Sequence, residues 1–466
     1  MKKVTSLILS LIIIMPFISS INAQTLNFPL DDPIKSESAI VLNIDNDIII
    51  HEKNADIKQM PGSLVNIMTA IICLENTRDL NKEITVDKSV YSELLDTQYY
   101  DDLRSAEIYD GDVLTINDLL YAMMLTSSYE AAQTLAYHFG DGDISAFVAK
   151  MNEKAAEIGC KNTNFTNPTG VYDENQYTTA RDMAMITRYA MNTSVFTNIA
   201  TTKEYNPSVP NLNNHKNHND WIWTHSNLMM DEESDYYYRG AKGIKTANLT
   251  AAGRNIIAMA SKDGHNYLVV LLKAPIRDAD GKNQFYHIED AKSLFNWAFS
   301  NFSYRDIVTE SEEIAEVSVE LAEGSDYVLL RPEAAYTALW YDGAETSLIK
   351  KDIQYKSDIK APIKAGEKLG VMQLTYSGEE IATIDLVAVS DVERSMSKFN
   401  FYVAKRFKSS EWFMKAIIIS VVLCLVYIML CVYSFVCYKN RNKSVKPIYA
   451  MPKVAKKRKT RKNKDD

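Results

Sequence analysis

From position 416 to position 437 the chain carries no charged residue, and no other feature limits so firmly what it can fold into. As a helix, these roughly 22 residues would extend about 33 Å, enough to cross a bilayer. Trp412 and Phe413 stand at one margin and Tyr433 and Tyr438 towards the other, where interfacial aromatics gather. Residues 439–466 hold 12 Lys/Arg and 2 Asp, a net of +10. Positive charge beside an apolar span favours the cytoplasmic side, which places everything before the span outside. Stop-transfer charge and contact with anionic lipid explain this tail more cheaply than nucleic-acid binding does.

The other end matches that topology. Lys2 and Lys3 precede an apolar stretch over 7–18, and Ala23 offers a small residue before Gln24. This predicts a signal peptide over 1–23, the alternative being an uncleaved anchor. With +10 in the tail and +2 from Lys2 and Lys3, a chain total of −9 leaves −21 for the span between. So acidic a surface excludes nucleic acid as a partner, because phosphates demand clustered Lys and Arg. At 466 residues and 46% hydrophobic content, the chain can build two or three globular domains. Cys424, Cys431 and Cys437 fall in the apolar run; Cys73 and Cys160 read as free thiols, although a secreted location permits a disulfide. No cysteine pair has metal-ligand spacing.

Local patterns predict a sheet with helices packed on it, α/β or α+β, over residues 33–305, and the α/β class is the one expected. Residues 38–51 alternate as a hairpin around Asp45-Asn46-Asp47. Pro61 and Ser63 open a helical pattern through Ile67, Ala70, Ile71 and Leu74. Thr115 with Asp118, and Thr179 with Asp182, have capping-box spacing, and Gly159 suits a helix end. Asp263-Gly264 between two apolar runs predicts a second hairpin. Short β-rich runs broken by Pro332, Pro362, Gly366 and Gly378 predict a small all-β domain over 311–390, then an amphipathic linker over 391–415.

Three separated motifs bear on chemistry. The first is Pro61-Gly62-Ser63-Leu64-Val65-Asn66-Ile67-Met68-Thr69-Ala70. The second is Leu125-Thr126-Ser127-Ser128-Tyr129-Glu130-Ala131-Ala132. The third is Gly243-Ile244-Lys245-Thr246-Ala247-Asn248. Their order and neighbours resemble the SxxK, SxN and KTG motifs of the serine-type D-alanyl-D-alanine carboxypeptidases, the low-molecular-mass penicillin-binding proteins. Asn167-Pro168-Thr169-Gly170, Thr178-Thr179-Ala180-Arg181-Asp182 and Lys203-Glu204-Tyr205 add to the likeness. So does Ala361-Pro362-Ile363-Lys364-Ala365-Gly366, which is similar to that family's C-terminal β domain. The resemblance implies a penicillin-binding-type transpeptidase fold, no cofactor or metal, and the D-Ala-D-Ala end of peptidoglycan stem peptides as substrate. It also implies Ser63 as acylated nucleophile and Ser127 as proton relay. Lys245 and Thr246 would hold the terminal carboxylate, and the N–H groups of Ser63 and Asn248 would form the oxyanion hole.

Each motif departs from the pattern. Asn66 stands where the family has its base lysine, and an amide cannot take the proton of Ser63 near neutral pH. Tyr129 replaces the asparagine that would bind substrate amide, and Ala247 adds a methyl to the strand beside which substrate would lie. Together these predict an inactive or severely impaired, membrane-anchored homologue. The alternatives are a working carboxypeptidase, rescued by Lys245 or Lys58, and a non-catalytic cell-wall scaffold. His215, His218 and Asp220 read as loop residues and not as a metal site, and Tyr236-Tyr237-Tyr238 reads equally as a groove lining or as exposed aromatics.

Overall fold

The computed structural model describes residues 24–207, 215 and 221–443. The sequence readings on residues 1–23, on His218 and Asp220, and on the tail beyond 443 lie outside the described residues. By compactness the described chain divides into a larger unit, up to residue 308 with 335–352 and 373–383, and a smaller one of 309–334, 353–372 and 384 onward.

The larger unit is built on a six-stranded sheet. Its strands are β1 Gln24–Thr25, β2 Ser38–Asn43, β3 Ile48–Lys53, β4 Ala241–Leu249, β5 Gly253–Lys262 and β6 His265–Ala274, in the order β1-β3-β2-β6-β5-β4. Only β1 and β3 pair in parallel. Both predicted hairpins form. Asp263 (φ 52°) and Gly264 (φ 83°) take the left-handed conformations that a two-residue turn between twisted strands requires.

β2 is buried at every position, and β5 and β6 over most of theirs. A strand buried at consecutive residues must be covered on both faces. Helix Tyr286–Asn301 packs on β5 and β6, and helix Ala180–Ala190 packs on β6 and β2. Ile40, Leu42, Ile257, Met259, Leu268 and Val270 join the core that surrounds helix Asn66–Asn76. Burying such side chains contributes about 1.5–3 kcal/mol each.

Helix entry follows the local signals. Thr115 and Asp118 make a complete capping box at Ile116–Tyr121. Thr179 accepts from the Asp182 N–H, but the Asp182 carboxylate accepts from Lys161 N, Asn162 N and Thr163 Oγ1 instead of closing its own box. Helix Ile144–Ile158 stops at Gly159, in the left-handed conformation at φ 98°. Cys160 follows that helix, and both it and Cys73 are free thiols.

Residues 311–390 contain strands and a 3-10 turn at Thr346–Leu348, with no α-helix. In the smaller unit Ala315–Ser318 pairs with Tyr327–Pro332, and Leu330 pairs with Ala388. The predicted linker contains helix Met396–Lys408, and Glu411–Lys443 forms one continuous helix. Among the described residues, 411–441 are the only helix long and apolar enough to cross a membrane, with mean hydropathy 2.9 in its most apolar window.

Candidate active site

A 3-10 turn, Gly62–Val65, leads into helix Asn66–Asn76 and holds Ser63 at the mouth of a cleft. Two contacts fix that turn against the sheet, and a third holds the side chain that makes them. Asn255 Nδ2 on β5 donates to the carbonyls of Met60 (2.9 Å) and Pro61 (3.0 Å), and Asn255 Oδ1 accepts from Lys273 N (2.7 Å). Gly62 has φ +57°, and a Cβ there would lie 2.9 Å from the Ala247 methyl. Gly170 (φ +83°) passes so close that its Cβ would lie 2.2 Å from Gly62 O and 2.5 Å from Ser63 N. Only glycine fits at either place.

The second motif is positioned by an irregular helix end. A wide π-type turn, Ala122–Thr126, ends at Ser127 in the left-handed conformation, φ 66°. Such turns recur at functional sites because they re-aim the residues just past them. Ser128 then caps helix Tyr129–Phe139, accepting from Ala131 N, and its hydroxyl donates to buried Glu130 at 2.6 Å. Ser105 donates to the other Glu130 oxygen. Burial raises the Glu130 pKa, while these two hydroxyls oppose the rise.

The third motif lies on β4, an edge strand of the sheet. Lys245 is fully buried, and its amine donates to Ser127 Oγ. Desolvation pulls its pKa down to about 7. Beside it His225 is buried and pushed to about 4, first by desolvation and then by the Lys245 charge. His225 Nδ1 accepts from Asn227 N, so its Nε2–H donates to Ala200 O and the ring is neutral. Thr246 Oγ1 and Ser226 Oγ are 2.7 Å apart.

Ser63, Ser127, Tyr129, Thr246, Ala247 and Asn248 therefore line one cleft of about 90 Å³. Asn66 and Lys245 lie buried beneath it. Sequence reasoning missed Arg104 and Ser226 among its other liners, and named Thr169 and Gly170 only as part of a family-like run, with no place in the site. The segment that carries Arg104 is tied just past the end of β4: Asp102 Oδ1 accepts from Thr250 N (3.1 Å) and Thr250 Oγ1 (2.7 Å). A larger depression of about 1040 Å³ lies beside Thr25–Asn27; of its charged liners, Glu52 and Arg181 pair with each other, and Glu380 accepts from Gln373 and Thr383.

The departures have definite surroundings. Asn66 Nδ2 donates to Pro168 O at 3.0 Å, and Thr69 Oγ1 donates to the same carbonyl. Asn66 Oδ1 is buried without a partner. Ser63 Oγ donates to the carbonyl of Thr246 at 3.4 Å, a group that cannot take up its proton. Tyr129 packs edge-on against Tyr91, and burial raises its pKa, so it stays a neutral phenol. The Ala247 methyl faces Gly62 as well as the cleft, so it takes the space beside the Ser63 turn in addition to lining the groove.

Other sequence candidates fall elsewhere. Lys58 sits over the Tyr177 ring, 3.8 Å from its centroid. His215 bonds Asp112 at 2.9 Å and stacks on Trp221. Tyr238 bonds Asn296, and Tyr236 packs on Phe285. Among the described residues no cluster of His, Cys, Asp and Glu could hold a metal ion.

A serine on a 3-10 turn, a second serine on a left-handed corner and a lysine on an adjoining edge strand are brought together as the resemblance to the penicillin-binding family implied. The chain belongs to the D-alanyl-D-alanine carboxypeptidase family, whose model matches residues 23–276; the model of the penicillin-binding protein 5 C-terminal domain matches 302–394. The carboxypeptidase DacF of Bacillus subtilis is 26% identical over 363 residues, 78% of this chain and 87% of that protein. Among solved structures, the carboxypeptidase DacD of Francisella tularensis superposes with a TM-score of 0.58 at 21% identity, over 79% of this chain and 96% of its own. Penicillin binding protein 5 of Haemophilus influenzae gives 0.53 at 23% identity, over 79% and 100%.

Proposed function

We propose that this chain binds the D-Ala-D-Ala end of peptidoglycan stem peptides at the outer face of a membrane and has lost most of the capacity for acyl transfer. One observation carries the reading: one turn past Ser63 stands Asn66, its N–H committed to Pro168, while the Ser63 hydroxyl points to a backbone carbonyl. Without an amine there, general-base assistance worth about 10²–10⁴ in rate is missing. In this reading Ser127 orients Lys245, and protonated Lys245 with Thr246 receives the terminal carboxylate. The N–H groups of Ser63 and Asn248 receive the peptide carbonyl, and Tyr129 and Ala247 narrow the groove around it. The long helix Glu411–Lys443 would be the anchor, with the basic tail in the cytoplasm. Titration of the full-length chain with a peptide ending in D-Ala-D-Ala, beside a hydrolysis assay, tests both halves: binding without turnover is expected.

A second reading has specific support. Lys245 has a pKa of about 7 and already bonds Ser127, so much of it is a free amine at neutral pH. A slow hydrolase in which Ser127 passes the Ser63 proton to Lys245 would lose all turnover in Lys245→Met, and its rate would rise through pH 7.

A further inference from the structure

Around the end of β4 from the Ser63 cleft lies a second depression of about 660 Å³, lined among others by Glu37, Asn248, Arg254, Lys273, Arg277 and Asn283. Asn248 belongs to both. Arg254 is the unusual member. It is 6% exposed, its Nη1 donates to Gln284 O at 2.8 Å, and its Nε is buried with no partner. Its guanidinium lies over Phe285, 4.0 Å from the ring centroid. Among the described residues no carboxylate pairs with it. Glu37 is held by Lys273 at 2.8 Å; Asp278 is taken by Gln284 Nε2, Lys282 N and Asp280 N.

A buried cation without a counter-ion is costly, and proteins ordinarily pair it. The Phe285 ring and the Gln284 carbonyl offset part of the deficit, and two other neighbours add to it. Helix Tyr286–Asn301 begins beneath the guanidinium, at Phe285, with no side chain capping it, so its partial positive charge faces the same place. His287, in its first turn, is buried, and its Nδ1 also lacks a partner. Burial and the Arg254 charge together keep that ring neutral. The orphan guanidinium edge lines the depression, and the uncapped helix start and the neutral His287 ring beside it supply no negative charge.

We propose that this depression is an anion subsite, built on Arg254, for a carboxylate of the same peptide whose end enters the Ser63 cleft. The assignment to a peptide rests on the function proposed above and on the shared Asn248: a chain lying along the β4 edge passes directly from one cavity to the other. Edge strands with free hydrogen-bonding groups accept extended peptides in this way. The site recognises charge and not the D-Ala terminus, so it selects among peptides alike at that end.

The test uses full-length protein in detergent micelles and two peptides ending in D-Ala-D-Ala. One carries a further side-chain carboxylate upstream; the other has that carboxyl amidated. A charge-assisted hydrogen bond predicts about a tenfold or greater preference of the wild type for the acid form. Arg254→Gln should bind both peptides alike, and Arg254→Met should melt higher than wild type without ligand, because it removes an uncompensated charge. Equal wild-type affinities, with a lower melting temperature for Arg254→Met, would overturn the subsite and leave the proposed function standing. Binding of neither peptide would remove both. Stabilisation by inorganic phosphate with no acid preference would overturn the assignment to a peptide.

Discussion

Asn66 is tied to Pro168: its carboxamide N–H reaches the Pro168 carbonyl at 3.0 Å, deep under the Ser63 turn. The amide satisfies its donor and leaves its acceptor orphaned, an arrangement that costs about 1–3 kcal/mol. The position therefore fits a fixed, neutral group and offers nothing that could carry a proton between serines.

Restoring the family residues should restore acylation in stages. Asn66→Lys alone is expected to raise penicillin labelling only in part, because Tyr129 and Ala247 still line the cleft where the family has smaller or different groups. The triple change with Tyr129→Asn and Ala247→Gly should label well above wild type, since members of a catalytic unit act non-additively. Thermal melts must accompany it, because a lysine at this fully buried place destabilises unless Pro168 or a serine accepts from it. A folded triple variant that fails to label would show that the cleft has diverged beyond its motifs.

Lys245 should leave a mark on the pH dependence of stability. Its folded pKa, about 7, lies below the ordinary 10.5 because burial favours the neutral amine. Between those values the unfolded chain holds a proton that the folded chain lacks, so stability rises with pH across that window and is lowest at its acid end. Lys245→Met should remove this share of the slope between pH 7 and 10. It should also stabilise the protein most at or below pH 7, by several kcal/mol at about 1.4 per pKa unit. An unchanged slope in urea titrations would contradict the burial argument.

Gly170→Ala should be among the most damaging single substitutions outside the motifs. The added carbon would sit 2.2 Å from Gly62 O at a backbone angle of +83°, so the Ser63 turn has to move. A loss of about 3 kcal/mol or more is expected from denaturant unfolding; a loss under about 0.5 kcal/mol would mean that the turn is not held there.

Much of the fold is legible in the sequence, for local reasons. The hairpin at Asp263-Gly264, the box at Thr115–Asp118 and the stop at Gly159 depend on residues a few positions apart. The three motifs are legible for the same reason, each being a short run of side chains in order. What escapes is set by distant partners. Helices Ser194–Thr201 and Tyr286–Asn301 give no clear start signal, and neither has a side-chain cap. Asp182 looks like half of a closed box, yet it serves the loop at 161–163. Arg104 and Ser226 reach the cleft through folding alone, and nothing near them in sequence marks them; Gly170 stands in a family-like run, but its place against the Ser63 turn depends on the fold. That the Ala247 methyl faces Gly62 can be seen only once β4 and the Ser63 turn are side by side.

Topology is tested on wall-stripped cells. With the acidic span outside and the tail within, added protease should digest the former and leave a protected fragment of Glu411–Lys443 with the basic end. Loss of the basic end from intact cells, with the acidic span protected, would reverse the assignment.

Whether Ser63 lacks a working base is decided by exposing the full-length wild-type protein to a fluorescent penicillin. β-Lactams acylate the serine that substrate acylates and need the same proton acceptor. Over an hour at neutral pH, labelling of no more than a small fraction of the chains is expected. Stoichiometric labelling within minutes, mapped to Ser63, would contradict the loss of the base and establish an active acyl-transfer site.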